Sequence, residues 1–294
     1  MPTLIVICGP TASGKTQVAI SIAQQLSTPI INFDSRQFFR ELNIGTAKPT
    51  PEQLVQAKHF FIDSHSITDE YNAVAFGNEA QKLIDELSHQ HQYIVLCGGS
   101  GLYLNAVLFG MDAMPEISKS IRQTINKNYE QFGLSYLQEE VKKADAKYYE
   151  TVDTENPHRL IRALEVYMQT GKPFSDFRNG QNKNSAYDYQ LCGITLPREQ
   201  LYERINQRTD MMIAQGLENE TRQVIDYRKH HALQTVGYKE MFQYIDGEIS
   251  LQQTIDLIKQ HTRNYAKRQI TWFKKYDNIN WYAPNEVDKI MASL

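Results

Sequence analysis

The sequence is short of cysteine and contains no long apolar run. Cys8, Cys97 and Cys192 are the three cysteines among 294 residues, and each lies in or beside a short apolar segment without metal-ligand spacing. They predict buried thiols in a reducing compartment rather than a disulfide scaffold. No apolar run approaches the roughly 20 residues that a membrane-spanning helix needs. No basic segment precedes a long apolar one at the N-terminus, so we expect a cytoplasmic protein without a signal peptide or membrane partner.

An excess of basic residues is also missing. The formal net charge is −3 and charged residues make up 22% of the chain, which argues against a surface that is basic throughout. A local basic face is compatible with this total, because nucleic-acid binding depends on where the charges lie. The length allows one large α/β domain that carries a smaller insertion.

In the first third of the chain, short apolar runs alternate with helical periodicity. Residues 3–8, 29–33 and 93–97 have the continuous apolar character of buried parallel strands. Residues 17–26 and 73–88 have the 3.6-residue periodicity of helices. This alternation predicts an α/β fold with a doubly wound parallel sheet.

The middle third has only helical signals. These lie at residues 118–132, 136–144 and 158–169. A polar, turn-rich stretch at 178–185 predicts a surface loop, after which strand character returns at 190–196 and 279–282, with a mostly helical stretch between them. We therefore predict an all-helical insertion domain at residues 114–187, inside a core with C-terminal helices formed by residues 1–113 and 188–294.

Eight residues after the first predicted strand match the phosphate-binding pattern G-x-x-x-x-G-K-[ST]. They are Gly9, Pro10, Thr11, Ala12, Ser13, Gly14, Lys15 and Thr16. Between a strand and a helix, this loop (the P-loop) turns its N–H groups inward and adds the positive end of the helix dipole, which suits a diphosphate. Lys15 is expected between phosphate oxygens and Thr16 as a ligand of Mg²⁺. The match predicts a P-loop NTPase-like fold, and the alternative is a chance glycine turn.

The placement of carboxylates favours group transfer over a motor or a GTPase. A P-loop alone suggests ATP or GTP, but the run at 93–97 ends in glycines and has no carboxylate to hold Mg²⁺. The run at 29–33 ends at Asp34 and directly follows the P-loop helix. In P-loop kinases of small molecules this position faces the acceptor. The pattern therefore indicates transfer of a group from a diphosphate to an acceptor near Asp34.

Two polar or glycine-rich turns follow predicted strands. Asp34, Ser35, Arg36 and Gln37 lie at the carboxyl end of one strand, where ligands bind in such sheets. The alternative is a helix N-cap at Asp34 or Ser35. Residues 98–103 have three glycines in four positions, which would let the backbone approach a ligand closely or simply form a flexible turn.

Residues 257–276 contain no Asp or Glu. Their basic residues are Lys259, Arg263, Lys267, Arg268, Lys274 and Lys275, and their aromatic residues are Tyr265, Trp272, Phe273 and Tyr276. Helical spacing gives one cationic and one aromatic face, which would suit RNA phosphates and bases. The alternative is an amphipathic helix whose charges are merely solvated. We expect the aromatic side chains to pack mostly on the core and the cations to serve mostly in binding.

Together and in this order, the motifs resemble the bacterial tRNA dimethylallyltransferases over nearly the whole chain. The matching segments are residues 9–16, 34–37, 44–49 (IGTAKP), 98–103, 159–166 (RLIRALEV), 236–240 (VGYKE) and 267–273 (KRQITWF). Their joint order is far more specific than the P-loop alone. Ser100 stands where the family usually has threonine. Because the hydroxyl is kept, we expect altered packing rather than a lost role.

The resemblance implies two substrates and a set of site residues. It implies that Thr11 to Thr16 hold the diphosphate of dimethylallyl diphosphate, with Mg²⁺, and that Asp34 contacts N6 of adenosine 37 in a tRNA anticodon loop. Arg208 would help to clamp the diphosphate, and Ser100 would lie between the substrates. The implied catalytic residues are Lys15, Asp34, Ser100 and Arg208.

The resemblance also implies that the insertion grips the anticodon stem-loop, and we expect a monomer. The implied tRNA contacts are Asp34, Ser35, Arg36, Gln37, Ser100, Arg122, His158, Arg159, Leu160, Ile161, Arg162, Gln234, Thr235, Val236, Gly237, Tyr238, Lys239, Lys267, Arg268, Gln269, Ile270, Thr271, Trp272, Phe273 and Lys274.

Three other functions are compatible with parts of the sequence. A P-loop kinase of a small metabolite would explain the P-loop and Asp34. It would explain neither the helical insertion nor the basic helix predicted within residues 257–276. An adenylate isopentenyltransferase would share the chemistry and use a free nucleotide as acceptor. A non-catalytic RNA-binding protein would need neither the P-loop nor Asp34.

Overall fold

The computed structural model describes residues 2–178 and 185–294. The described residues form two compact units. One runs to Leu108 and resumes at Ser185, and the other begins at Phe109. Most of the surface loop that the sequence predicted at 178–185 lies outside the described residues. No helix in the described part of the chain is long and apolar enough to cross a membrane.

The first unit is built on a six-stranded sheet in which every pairing is parallel. The strand order is β3-β2-β4-β1-β5-β6. The strands are β1 (Thr3–Cys8), β2 (Ile30–Asn32), β3 (His59–Phe60), β4 (Tyr93–Gly98), β5 (Asp188–Ile194) and β6 (Ile279–Tyr282). This confirms the predicted parallel α/β fold. The sequence analysis missed β3, because two residues give no periodic signal.

Helices follow most of the strands and complete the chain. They are α1 (Lys15–Gln25), α2 (Pro51–Leu54), α3 (Ala73–Leu87), α4 (Gly101–Phe109), α5 (Lys119–Ala144), α6 (Ala146–Tyr149), α7 (Pro157–Thr170), α8 (Arg198–Ala214), α9 (Leu217–Gln223), α10 (Tyr238–Ile245), α11 (Leu251–Phe273) and α12 (Val287–Met291). In the sheet core, side chains of α1 such as Ile20 and Ile22 pack with Ile5, Ile7 and Val95 of the strands, all of them fully buried. The three cysteines lie on β1, β4 and β5 and are buried, as predicted.

The second unit consists of helices around a small apolar core. Ile125, Leu137, Leu160 and Leu164 form part of that core. The sequence predicted separate helices at 118–132 and 136–144. In the structure α5 consists of two helical segments that meet at a kink, where Gly133 has non-helical dihedral angles (φ 73°, ψ −165°). Gly133 lies between the two predicted helices, so the structure confirms both helices and the break between them.

Three loops meet at one edge of the sheet. The P-loop follows β1, Asp34 follows β2, and Gly99 follows β4, and these strands are neighbours in the order β2-β4-β1. Because the strands are parallel, their carboxyl ends lie side by side, which is where α/β sheets bind ligands. The approach of the strands is close. A Cβ added to Gly98 would lie 2.6 Å from the Phe33 ring.

Candidate active site

The P-loop wraps tightly over the end of β1. Gly9 has a φ of 139°, and a Cβ there would lie 2.3 Å from the carbonyl oxygen of Ile194 on β5. Only glycine fits such a position. Gly14 has a φ of 94° and ends the loop at the start of α1. The loop therefore meets the N-terminus of a helix, where exposed N–H groups and the helix dipole favour an anion.

Lys15 is folded back over this loop. Its ammonium group donates a hydrogen bond of 2.7 Å to the Pro10 carbonyl. Burial lowers the pKa of Lys15, and the charge of Asp34 acts in the opposite direction. The side chain thus already lies against the loop that the sequence predicted to bind phosphate.

Asp34 lies at the base of the cleft and begins no helix. Residues 35–38 form a turn, in which the Arg36 N–H donates 3.1 Å to Asp34 Oδ1. The alternative of an α-helix N-cap is therefore wrong for this residue. Burial raises the pKa of Asp34, while the Arg36 N–H and the charges of Lys15, Arg36 and Arg208 lower it. A carboxylate with a raised pKa and one free oxygen can accept a proton from a ligand.

Ser100 joins the loop after β4 to the turn after β2. Its Oγ accepts a hydrogen bond of 3.0 Å from the Ser35 N–H and donates one of 3.1 Å to the Ser35 hydroxyl. The Tyr265 side chain on α11 lies beside Ser100, and burial raises the pKa of Tyr265 to about 12. Ser100 therefore contacts Ser35, the residue that follows Asp34, and lies beside Tyr265 of α11.

Gln269 and Arg208 hold the P-loop from the helical side. The Thr11 N–H donates 2.8 Å to Gln269 Oε1, and Gln269 Nε2 donates 2.9 Å to the Gly99 carbonyl. Arg208 Nη2 donates 2.6 Å to the Thr11 hydroxyl. Burial lowers the pKa of Arg208 to about 10. Gln269 thus bridges the loops after β1 and β4, while Arg208 carries a buried positive charge beside the P-loop.

Two cavities of the first unit meet at Asp34. The P-loop cavity has a volume of about 340 Å³ and includes Lys15 and Thr16 in its lining. The wide cavity has a volume of about 670 Å³. Both are lined by Thr11, Asp34, Thr46, Ala47 and Arg208. A group bound at the P-loop and a group bound in the wide cavity would therefore both reach Asp34.

The residues after Asp34 bind neighbouring loops. Arg36 Nη1 donates 2.8 Å to the His231 carbonyl. Gln37 Nε2 donates 3.1 Å and 3.0 Å to the carbonyls of Thr46 and Ala47. Both side chains are thus engaged within the protein, and their assignment to tRNA stays a prediction.

The segment 234–239 lies on the wall of the wide cavity. The lining includes Gln234, Thr235, Val236, Gly237 and Lys239. Tyr238 is fully buried beneath them, so its side chain has no surface to offer a nucleic acid.

Helix α11 presents a mixed face. Lys267, Arg268, Thr271 and Lys274 are exposed, Ile270 and Trp272 are partly exposed, and Gln269 and Phe273 are buried. Two further cations are engaged, since Lys259 pairs with Asp210 at 2.6 Å and Arg263 donates 2.7 Å to Asn206 Oδ1. The freely exposed cations are concentrated toward the end of the helix.

In the second unit, one buried carboxylate holds two of the predicted tRNA contacts. Glu165 accepts from Arg122 Nε at 2.8 Å and from Arg162 Nη1 at 3.2 Å. His158 and Arg159 are exposed at the start of α7, Ile161 is partly buried, and Leu160 is fully buried. The two arginines are therefore fixed in place and still partly exposed.

Sequence reasoning missed Glu220. This buried side chain accepts hydrogen bonds from the N–H groups of Asn43, Ile44 and Gly45 and from the Tyr238 hydroxyl. It lies in the polar stretch LENETRQ of α9, which looks like an ordinary surface helix. No local signal could have identified it.

A P-loop beside a carboxylate, at the edge of a parallel sheet, defines a P-loop-type α/β protein with an acceptor site. The model of the IPP transferase family matches residues 37–276. A tRNA dimethylallyltransferase of Cytophaga hutchinsonii is 45% identical over 99% of this chain and 96% of its own. The chain belongs to the IPP transferase family, which confirms the resemblance seen in the motifs.

Solved structures agree with this membership. A tRNA isopentenylpyrophosphate transferase of Bacillus halodurans has a TM-score of 0.74 and 32% identity, covering 100% of this chain and 95% of that one. A tRNA delta(2)-isopentenylpyrophosphate transferase of Staphylococcus epidermidis has a TM-score of 0.72 and 34% identity, covering 100% and 98%.

Proposed function

We propose that the protein transfers the dimethylallyl group of dimethylallyl diphosphate to N6 of adenosine 37 in the anticodon loop of tRNA. The products are N6-dimethylallyladenosine and diphosphate. The observation that carries this proposal is the meeting of the two cavities at Asp34, with the P-loop on one side and α11 on the other. The names of relatives over nearly the full chain length support the choice of donor and acceptor.

The P-loop side would bind the donor. Lys15, Arg208 and the loop N–H groups surround the P-loop cavity with positive charge, so they would stabilise the negative charge that develops on the departing diphosphate. Thr16 lines the same cavity. No cluster of three His, Cys, Asp or Glu side chains suited to a metal occurs among residues 2–178 and 185–294.

The Thr16 hydroxyl in the P-loop cavity fits Mg²⁺ that is bound through this one side chain and the substrate phosphates. In phosphate sites Mg²⁺ often takes only one or two protein ligands. When bound through Thr16, Mg²⁺ would neutralise diphosphate charge.

The acceptor side would activate adenine. The exocyclic amine is a weak nucleophile because its lone pair is delocalised into the ring. As the C–O bond of the donor breaks and the new C–N bond forms, N6 would lose a proton to the Asp34 carboxylate. Ser100, which bonds to Ser35 beside Asp34, would lie between the two substrates.

The RNA would be held by several exposed or cavity-lining groups. The target base must leave its stack to enter the wide cavity. Gln234, Thr235, Val236, Gly237 and Lys239 line that cavity and would contact the loop. Exposed cations such as Lys267, Arg268, Lys274 and Arg159 would meet phosphates.

The helical unit would grip the anticodon stem through Arg122 and Arg162, which Glu165 orients. We further propose that the enzyme acts as a cytoplasmic monomer.

One experiment tests the reaction and its acceptor. Labelled dimethylallyl diphosphate is incubated with the protein and either tRNA, AMP or no acceptor. Transfer to tRNA alone supports the proposal. Preferential transfer to AMP would make the chain a free-nucleotide enzyme, and label transfer to neither would refute the prenyl-transfer activity. Heat-denatured protein serves as the control for uncatalysed transfer.

A further inference from the structure

Glu220 is the most fully satisfied buried carboxylate of the first unit. Its Oε2 accepts 2.9 Å and 2.8 Å hydrogen bonds from the N–H groups of Asn43 and Ile44. Its Oε1 accepts 3.0 Å from the Gly45 N–H and 2.6 Å from the Tyr238 hydroxyl. Three consecutive backbone N–H groups that converge on one anion form a nest. Its occupant must accept hydrogen bonds at every position and donate none, as an ionised carboxylate does.

The segment that Glu220 holds forms a wall of both cavities. Residues 43–47 are here called the 43–47 loop. Thr46 and Ala47 line the P-loop cavity and the wide cavity, and Gly45 lines the wide cavity. Asp34 lines both cavities as well. The shape of this loop therefore sets the space in which a donor and an acceptor would approach Asp34.

The loop conformation depends on being held. Ala47 has a left-handed φ of 49°, a strained conformation for a non-glycine residue that persists only where surrounding contacts enforce it. Gln37 holds the carbonyl groups of Thr46 and Ala47 from one side, and Glu220 holds the N–H groups at the other end. Gly45 lies directly on Tyr238, where a Cβ would come within 2.6 Å of the ring.

We propose that Glu220 is a positioning residue for the transfer reaction, because it fixes the 43–47 loop as the wall at which the two cavities meet. This inference rests on the proposed function. Glu220 itself lies behind the loop and lines neither cavity, so it acts through the loop rather than by touching a substrate. A misplacement of about 1 Å at a reacting centre can cost on the order of a hundredfold in rate.

Glu220→Gln is the direct test. An amide keeps one acceptor oxygen but turns an NH₂ group toward backbone donors, so at least one of the loop N–H groups loses its partner. We expect the single-turnover transfer rate at saturating substrates to fall at least about tenfold. The Kd for tRNA should change by less than about threefold, since the RNA phosphate contacts are elsewhere. Amide hydrogen exchange should rise at 43–47 and stay unchanged in α1.

Glu41→Gln is the matched control. Glu41 is a nearby carboxylate that accepts 3.0 Å from the Ile67 N–H and 2.7 Å from the Ser66 hydroxyl, and none of these residues lines either cavity. It should lose local hydrogen bonds without loss of transfer rate. Equal rate losses in the two variants would overturn the proposal, because the loss of any hydrogen-bonded carboxylate in this region would then have the same effect.

Gly45→Ala displaces the same loop without changing Glu220, and it keeps the proposal testable if Glu220→Gln does not fold. It should reproduce both the rate loss and the faster exchange at 43–47. Faster exchange with a normal transfer rate in either variant would reduce Glu220 to a purely structural role. The exchange measurement needs no substrate. If wild type modified no tRNA, the proposed function would fail separately from the anchoring of the loop.

Discussion

Asp34 is the residue whose environment most directly affects the chemistry. Burial raises the pKa of Asp34, so ionisation of this residue changes the free energy of unfolding in a definite direction. When the folded pKa of an acid exceeds the unfolded one, the folded state binds more protons, so stability falls as pH rises through the interval between the two values. Above that interval the ionised Asp34 lowers the free energy of unfolding. The ionised Asp34 carboxylate therefore reduces the stability of the fold, which is consistent with a role in function rather than in folding.

Asp34→Asn should separate catalysis from folding. The asparagine side chain can still accept the Arg36 N–H, so the fold is retained, and the melting temperature should stay equal or rise because a buried charge is removed. The transfer rate should fall by on the order of 10²–10⁴, as for a missing general base. The measurements are thermal melting at neutral pH and single-turnover transfer to tRNA.

The pH profile provides the control for this substitution. In wild type, the acid limb of the transfer rate should lie above the ordinary value of 3.8 for an aspartate, because a proton on Asp34 removes the base. In Asp34→Asn this limb should disappear. A variant that transfers at nearly the wild-type rate would remove Asp34 from the reaction.

Lys15 should affect chemistry more than RNA binding. Lys15→Ala removes a cation from the P-loop cavity, where it would act on the charge that develops as diphosphate leaves. We expect kcat to lose most of its value and the Kd for tRNA to change by less than about threefold. Turnover close to wild type would contradict the assignment of the donor site to the P-loop.

At the scale of single elements, α11 combines two tasks. Gln269 on its buried face connects the P-loop to the loop after β4, while Lys267 and Arg268 lie exposed two and one residues before it. The Arg268 guanidinium lies 5.8 Å from the centre of the Tyr265 ring, and the Tyr265 side chain lies beside Ser100. One helix therefore carries the predicted RNA-binding cations and the supports of the cleft.

The double variant Lys267→Gln and Arg268→Gln should weaken the salt dependence of tRNA binding. If each side chain meets one phosphate, the slope of log K against log[salt] should decrease by about two. Affinity for dimethylallyl diphosphate should change much less, since neither side chain lines the P-loop cavity. Binding of tRNA over a range of salt concentrations is the measurement.

Lys82→Gln with Lys289→Gln is the matched control for the double variant. These lysines are exposed on α3 and α12, so the control also removes two positive charges. Its slope should stay at the wild-type value. An equal decrease in both double variants would indicate an effect of total charge, and the cations of α11 would then be a solvated face.

For the whole molecule, the sheet was more predictable than the contacts around it. The bounds of β1 agree with the apolar run at 3–8, because a strand buried in a parallel sheet shows as a continuous apolar segment. The bounds of the partly exposed edge strand β6 agree with the strand predicted at 279–282. The two-residue strand β3 gave no such signal. Composition and periodicity indicate which segments are buried. Both are properties of a stretch of neighbouring residues, so they do not identify the contacts of a single side chain.

Contacts between distant segments are beyond that information. The hydrogen bonds from Thr11 to Gln269 and from Asn43 to Glu220 join residues that are far apart in the chain, and no local pattern pairs them. Lysine and arginine residues with the same sequence pattern can also have different roles in the structure. Arg263 is engaged within the protein and Lys267 is exposed, although both belong to the same acid-free run.

The buried thiols allow the stability of the sheet to be followed. Cys8 and Cys192 are 0% exposed and Cys97 is 7% exposed, and burial raises the pKa of Cys97 and Cys192 to about 12. Because the thiolate is the reactive form, a thiol reagent at pH 8 should modify all three only as the sheet unfolds. Inorganic diphosphate should slow the labelling if it binds the folded P-loop. Rapid labelling of all three cysteines in the native protein would contradict this burial.

The partner of β1 on one side arrives very late in the chain. Thr3 is paired with Asp188 and Cys8 with Gly193, whereas β4 on the other side begins at Tyr93. During synthesis on the ribosome, the strand that carries the P-loop therefore keeps an open edge until β5 has emerged, after the entire helical unit. Unpaired strand edges in a nascent chain invite pairing with other chains. We expect chains truncated before residue 188 to aggregate, and a pause in translation within the helical unit to be more harmful than one after β5.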